Sequence, residues 1–133
     1  MRLTLGAAVV VALSAGAALA EDEINCAEPY TQYEMTYCAE KAWKAVDRDL
    51  NYTYKMALYA MEVIDNDLPP KQRGAAKALR DAQRLWIKFR DKVCEAEGFQ
   101  ARGGTMEPML VYQCYERLTK QQYQALDAIA AAN

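Results

Sequence analysis

The sequence predicts an all-α protein, a small antiparallel bundle of three main helices stapled by two disulfides. Three observations predict it. Apolar residues recur every three or four positions through three long segments, and the period-two alternation of strands is absent. Pro69-Pro70 and Gly103-Gly104 interrupt those segments, and short connections between long helices make sequential neighbours antiparallel. Four cysteines, Cys26, Cys38, Cys94 and Cys114, sit in a chain of 133 residues that begins like an export signal.

That signal is the first element. Met1-Arg2 precedes an apolar run from Leu3 to Ala20, which closes on Ala18-Leu19-Ala20 just before Glu21-Asp22-Glu23. A basic tip, an apolar stretch and an A-x-A exit describe a secretory signal peptide. The competing reading is a membrane-spanning anchor, because about 18 apolar residues nearly cross a bilayer. Small exit residues with acids behind them favour cleavage. A lipid anchor would need a cysteine directly after the small residues, and Cys26 arrives late, behind Ile24-Asn25. The expectation is a signal peptide at 1–20 and a single helical domain at 21–133, periplasmic or secreted and without a membrane anchor.

Cleavage leaves 113 residues carrying 15 basic and 18 acidic side chains, a net charge of −3. That balance is too mild for a nucleic-acid partner, and no basic patch with interleaved aromatics is present. A mildly acidic surface suits a basic protein partner. The sequence holds no histidine and no C-x-x-C pair. Histidine-based nucleophilic catalysis and histidine-ligated haem are thereby excluded, and a zinc site is disfavoured for want of closely spaced ligands, so the cysteines read as disulfides, with no cofactor or metal.

The first helix opens at Thr31-Gln32-Tyr33-Glu34, a capping box with a hydroxyl and a carboxylate three residues apart. Its dry stripe is Met35, Ala39, Ala42, Val46, Leu50, Thr53, Ala57, Ala60 and Ile64, and it should stop near Asp65-Asn66-Asp67. Tyr52, Met56, Tyr59 and Val63 form a second apolar stripe about 100° from the first. The third helix is the expected cover for it; left uncovered, it becomes an aromatic partner surface. Asn51-Tyr52-Thr53 matches a glycosylation sequon but reads as ordinary mid-helix sequence.

The second helix runs from Gln72 or Gly74 to about Glu97, with Ala75, Leu79, Ala82, Trp86, Phe89 and Val93 as its stripe. Arg80, Arg84 and Lys88, four apart, form a solvated row. Arg90 lies beside the stripe, near Trp86 and Cys94. Pairing the first two helices about their turn sets it opposite Asp47 and Asp49, a half-buried structural ion pair. The carboxylate pairs Asp47/Asp49 and Glu95/Glu97 are two residues apart and point in different directions, so neither makes an acid–base dyad. A glycosidase drawing carboxylates from different helices stays open, though nothing points to one; the expectation is no enzyme. The third helix starts after Gly103-Gly104-Thr105, with Thr105 as its cap, and carries Val111, Cys114, Leu118, Gln122, Ala125 and Ile129.

Four cysteines allow three pairings, and helix geometry separates them. If the first two helices turn back near 65–74, Cys94 falls opposite Ala45, ~10 Å along the axis from Cys38. A disulfide needs Cα atoms within about 7 Å. Turning the second and third helices about 98–107 instead brings Cys94 within one turn of Cys114. The expected bonds are Cys94–Cys114 and Cys26–Cys38.

Cys26, "TQYEMTYCAE" (31–40), "VDRDLNYTYKMAL" (46–58), "LRDAQRLWIKFRDKVC" (79–94), "GGT" (103–105), Cys114 and "LTKQQ" (118–122) together resemble the LprI-like lysozyme-inhibitor family, long catalogued as a bacterial domain of unknown function. The resemblance covers residues 24–128. Thr36 stands where the family pattern usually has asparagine, and Thr105 where it often has serine. The resemblance implies an exported helical protein that binds and inhibits lysozyme, and it offers no catalytic residues to carry over; the leading expectation is that it blocks the saccharide cleft of a lysozyme-type muramidase. The alternative is a cell-envelope binding or scaffold protein with another partner, using the tyrosine-rich face. The Cys94–Cys114 bond would close "GFQARGGTMEP" (98–108), including Arg102, Gly103, Gly104 and Thr105, into a constrained projection. It is either a plain helix connector or a pre-ordered binding loop whose Arg102 meets the acidic groups of a muramidase.

Overall fold

A computed structural model describes residues 24–132. The expected signal peptide at 1–20 lies outside the described residues. Helix α1 (Gln32–Asp67) begins where the capping box sets it: the Thr31 hydroxyl accepts from the Glu34 N–H at 3.2 Å. The Glu34 carboxylate accepts from the N–H groups of Thr31 at 2.9 Å and Tyr30 at 2.7 Å. These backbone hydrogen bonds hold the Glu34 carboxyl below the usual range. With neither glycine nor proline inside it, α1 continues for 36 residues, ~54 Å, until extended Leu68 and Pro69 end it.

A single 3₁₀ turn at Pro70–Gln72 and Gly74, whose φ of 153° suits a residue without a Cβ, lead into α2 (Ala75–Gly98). Its N-terminus is capped from a distance. The Asp65 carboxylate, near the end of α1, accepts from the N–H groups of Gly74 at 2.8 Å, Ala75 at 2.9 Å and Ala76 at 3.1 Å. One side chain thus satisfies three otherwise orphaned donors, with a charge that suits a helix N-terminus. α3 (Glu107–Ala130) follows a 3₁₀ turn at Phe99–Ala101. Thr105 is not its cap. Met106 occupies that position without a side-chain bond, and Glu107 instead turns back to accept from the Gly103 N–H at 2.8 Å.

The chain runs up, down and up. α2 is antiparallel to α1, as the Glu62–Arg80 pair at 3.5 Å and the Asp47–Arg90 pair at 3.4 Å show. α3 lies parallel to α1, from the Gln32–Met109 contact to the neighbourhood of Tyr52 and Tyr123, and makes its longest interface there. Leu50, Ala57, Leu79 and Leu126 form one core cluster, bordered by Tyr54, Met61, Trp86 and Ile129. Cys94, Cys114 and Leu118 form a second. Both disulfides, Cys26–Cys38 and Cys94–Cys114, are formed as the helix geometry requires.

Two dry faces differ from those the periodicity gives. On α2 the buried residues are Ala76, Leu79, Gln83, Arg90, Cys94 and Gly98, about one position beyond the apolar stripe; Ala82 is exposed and Phe89 is 58 % exposed. Gln83 and Arg90 can be buried because each has partners, Gln83 accepting from the Gln122 amide at 2.9 Å. On α3 the buried set is Cys114, Leu118, Thr119 and Leu126, and Ala125 is exposed. The end of α2 packs so closely on α3 that a Cβ at Gly98 would come within 2.8 Å of Val111 Cγ2.

Candidate functional site

Arg90 is where the three helices meet. Its guanidinium Nε and Nη2 donate to Asp91 Oδ1 at 3.0 and 2.9 Å, and Nη1 reaches Asp47 Oδ1 at 3.4 Å. The same group lies 5.8 Å from the ring centroid of Trp43 on α1, 5.1 Å from Trp86 on α2 and 5.0 Å from Tyr115 on α3. Trp43 in turn packs on Tyr112 and Tyr115, with centroids 5.7 and 5.0 Å apart. Burial, and then the nearby Asp91 charge, raise the Tyr115 phenol above its ordinary range. An arginine stays protonated, so the centre of this cluster is a fixed positive charge. It can fix helix register, since a planar fork stacks on rings and bonds carboxylates at once.

Asp49 does not join it. It sits on the opposite wall of α1, in a groove of about 470 Å³ between α1 and α3, with Tyr52, Thr53, Met56, Tyr123, Asp127, Ala130 and Ala131. α3 does not cover the second stripe of α1: Tyr52 is 68 %, Met56 45 % and Tyr59 64 % exposed. Two tyrosine rings two turns apart, with Met56 between them, therefore form a face open to solvent.

The 98–108 loop lies at the other end of the bundle. Thr105 shares a hollow with Gln32, Tyr33 and Thr36 at the start of α1. Arg102 Nη1 pairs with Glu107 Oε1 at 2.7 Å, and its guanidinium stacks 4.4 Å from the Phe99 ring centroid. Gly103 adopts φ 79°, which favours glycine, and the Gly104 N–H donates to the Ala101 carbonyl at 2.9 Å. The Gly103 N–H bond and the Arg102 charge both hold the Glu107 carboxyl below its usual range. The loop is ordered from within, and its one cation already has a carboxylate. Thr36 and Tyr52 are 16 residues apart on α1, so the loop and the aromatic face are ~24 Å apart.

Of the residues singled out from sequence, Arg90, Asp47 and Trp86 come together, while Asp49 and Phe89 lie outside their cluster. Missed were Trp43, Asp91 and Tyr115 around Arg90, and Tyr123 and Asp127 in the groove. Tyr123 and Asp127 stand four apart, one face of a helix, and that spacing was the only available signal.

The family model for "Lysozyme inhibitor LprI" matches residues 25–126. An uncharacterized protein of Rhizobium meliloti (strain 1021) is 41 % identical over 104 residues, covering 76 % of this chain and 75 % of that protein. A crystal structure of a DUF1311 family protein from Pseudomonas putida KT2440 superposes with a TM-score of 0.66 at 18 % identity, covering 77 % of this chain and 97 % of that one. At that identity the likeness speaks for the fold.

Proposed function

Because the chain belongs to the lysozyme inhibitor LprI family, we propose that it is exported and inhibits a lysozyme-type muramidase by binding over its saccharide cleft. The family match over residues 25–126 is the observation that carries this reading. The geometry agrees with a binder. A disulfide-stapled bundle offers a pre-ordered surface, and ordering before association lowers the entropy lost on binding. No helix of the described residues is long and apolar enough to cross a membrane. The reading makes the chain a binding protein, not an enzyme.

Of the two surfaces, the Tyr52–Tyr59 face is the better supported, because Arg102 is already engaged by Glu107. Tyrosine supplies large contact area at little conformational cost, as binding hot spots require. Purified mature protein should be retained on immobilised muramidase and should slow the clearing of cell-wall suspensions. Tyr52→Ala should weaken both effects, and Arg102→Ala and Thr105→Ala should change them little. Failure to bind or slow any lysozyme class at excess protein would end the inhibitor reading. Export has its own measurement: intact mass should place the mature N-terminus at Glu21, and a fatty-acyl adduct on Cys26 or a retained residue 1–20 segment would refute it.

A further inference from the structure

The groove between α1 and α3 has a charge as well as a shape. Asp49 stands on its α1 wall and Asp127 on its α3 wall. Among the described residues neither carboxylate has an ion-pair partner, whereas Asp47, Asp81, Asp91, Glu97 and Glu107 all do. Asp127 also lies in the last turn of α3, where the free carbonyl groups already carry partial negative charge. A carboxylate there opposes the helix dipole, and nothing within the fold compensates it. Among the described residues no basic side chain lines the groove, and Arg48, next to Asp49 in the chain, lines a separate hollow with Tyr37 and Lys44.

Tyr52, Met56 and Tyr123 complete the lining, over a floor that includes the largely buried Thr53. Aromatic and thioether surface suits the methylene stem of a long basic side chain, and ring faces attract its charged head. We infer that this groove receives a lysine or arginine side chain of a basic partner protein, its charge placed between Asp49 and Asp127. The net charge of −3 expected for residues 21–133 acts in the same direction at longer range. The inference deepens the inhibitor reading by giving the chemistry of the contact, and it rests on that reading only for the partner's identity.

Two arms test it. In the first, tetralysine is titrated into the labelled protein at low salt, with tetraglutamate as control. Resonances of Tyr52, Met56 and Tyr123 should move with tetralysine alone, and the Asp49→Asn/Asp127→Asn double variant should bind it about tenfold more weakly. Absent shifts, or shifts spread over other acidic positions and unchanged in the double variant, overturn the inference. In the second arm, a basic muramidase is bound at several salt concentrations. The double variant should lose about tenfold in affinity and show a flatter salt dependence, while Glu95→Gln on α2 should match the wild type. Muramidase binding that is indifferent to the double variant overturns the groove and leaves the inhibitor reading standing. Tetralysine mapping to the groove with no muramidase bound does the reverse. Circular dichroism of the exposed-site variants checks that each is folded.

Discussion

At Arg90 one guanidinium meets a carboxylate from α1, a carboxylate from its own helix and rings from all three helices. Its side chain is only 11 % exposed, so Arg90→Ala opens a gap among the three rings and strips Asp47 and Asp91, 32 % and 47 % exposed, of their shared cation. The expected loss is about 3 kcal/mol in urea unfolding, the low end for a broken buried pair, because Asp47 keeps some water. Arg90→Lys should recover only part of it, since an ammonium cannot bond two carboxylates and lie flat on rings together. A second comparison separates the two helix faces. Trp86→Ala should cost about 3 kcal/mol, whereas Phe89→Ala, at an exposed position, and Arg84→Ala, in the solvated row, should each stay within about 0.5 kcal/mol. Equal losses at Trp86 and Phe89 would put the α2 face back where apolar periodicity alone places it. The difference between those two faces shows what a pattern can carry. Periodicity counts apolar residues, and it cannot see that Gln83 and Arg90 have partners that let them go inside. The antiparallel register led from the turn at 65–74 to the 47–49 region, but only the rotation of α1 separates Asp47 from Asp49.

The helices themselves were legible where the cause is local. The Thr31–Glu34 box and Pro69-Pro70 act within a few residues, and the observed ends of α1 follow them. The start of α3 was less so, because Glu107 reaches back to Gly103 and leaves Thr105 without a capping role. The cap of α2 was not legible at all, since Asp65 lies nine residues before the first N–H it binds. Its three backbone bonds hold the Asp65 carboxyl below the ordinary aspartate range. A folded-state pKa depressed in this way contributes stability that is full above the unfolded value, about 3.9, and that fades as pH falls through the folded value. Asp65→Asn should therefore melt below wild type at pH 7, and the gap should close on acidification below about pH 4. Thermal melts at a neutral and an acid pH check it; a constant gap would mean that the carboxylate's charge adds nothing to the cap. Close packing marks another element boundary. Gly98→Ala would force its methyl against Val111 Cγ2, so the Val111 side chain or the α2–α3 spacing would have to shift close to the second disulfide.

For the molecule as a whole, the two disulfides do different work. Cys94 and Cys114 are fully buried and belong to a core cluster, so their bond is also packing. Cys26 is exposed and precedes the first helix, so its bond ties a terminal segment to α1. Graded reductant followed by alkylation and mass spectrometry should show Cys26 and Cys38 modified first, with helicity retained. Cys94 and Cys114 should react only as the bundle unfolds, and Cys94→Ala/Cys114→Ala should cost about 2–4 kcal/mol. Simultaneous alkylation of all four would refute that order. The parallel course of α1 and α3 has one more consequence. An odd number of passes sends residues 24 and 132 toward opposite poles of the bundle, although α3 ends beside Met56 while α1 runs on to Asp67. The polypeptide leaves at Ala131 on the rim of the aspartate-lined groove, while the other pole carries the cystine bridges. Any handle fused behind the last residue would shade that groove, and one fused ahead of Ile24 would present it outward. Surface capture through each terminus should accordingly give two different apparent affinities for the same ligand.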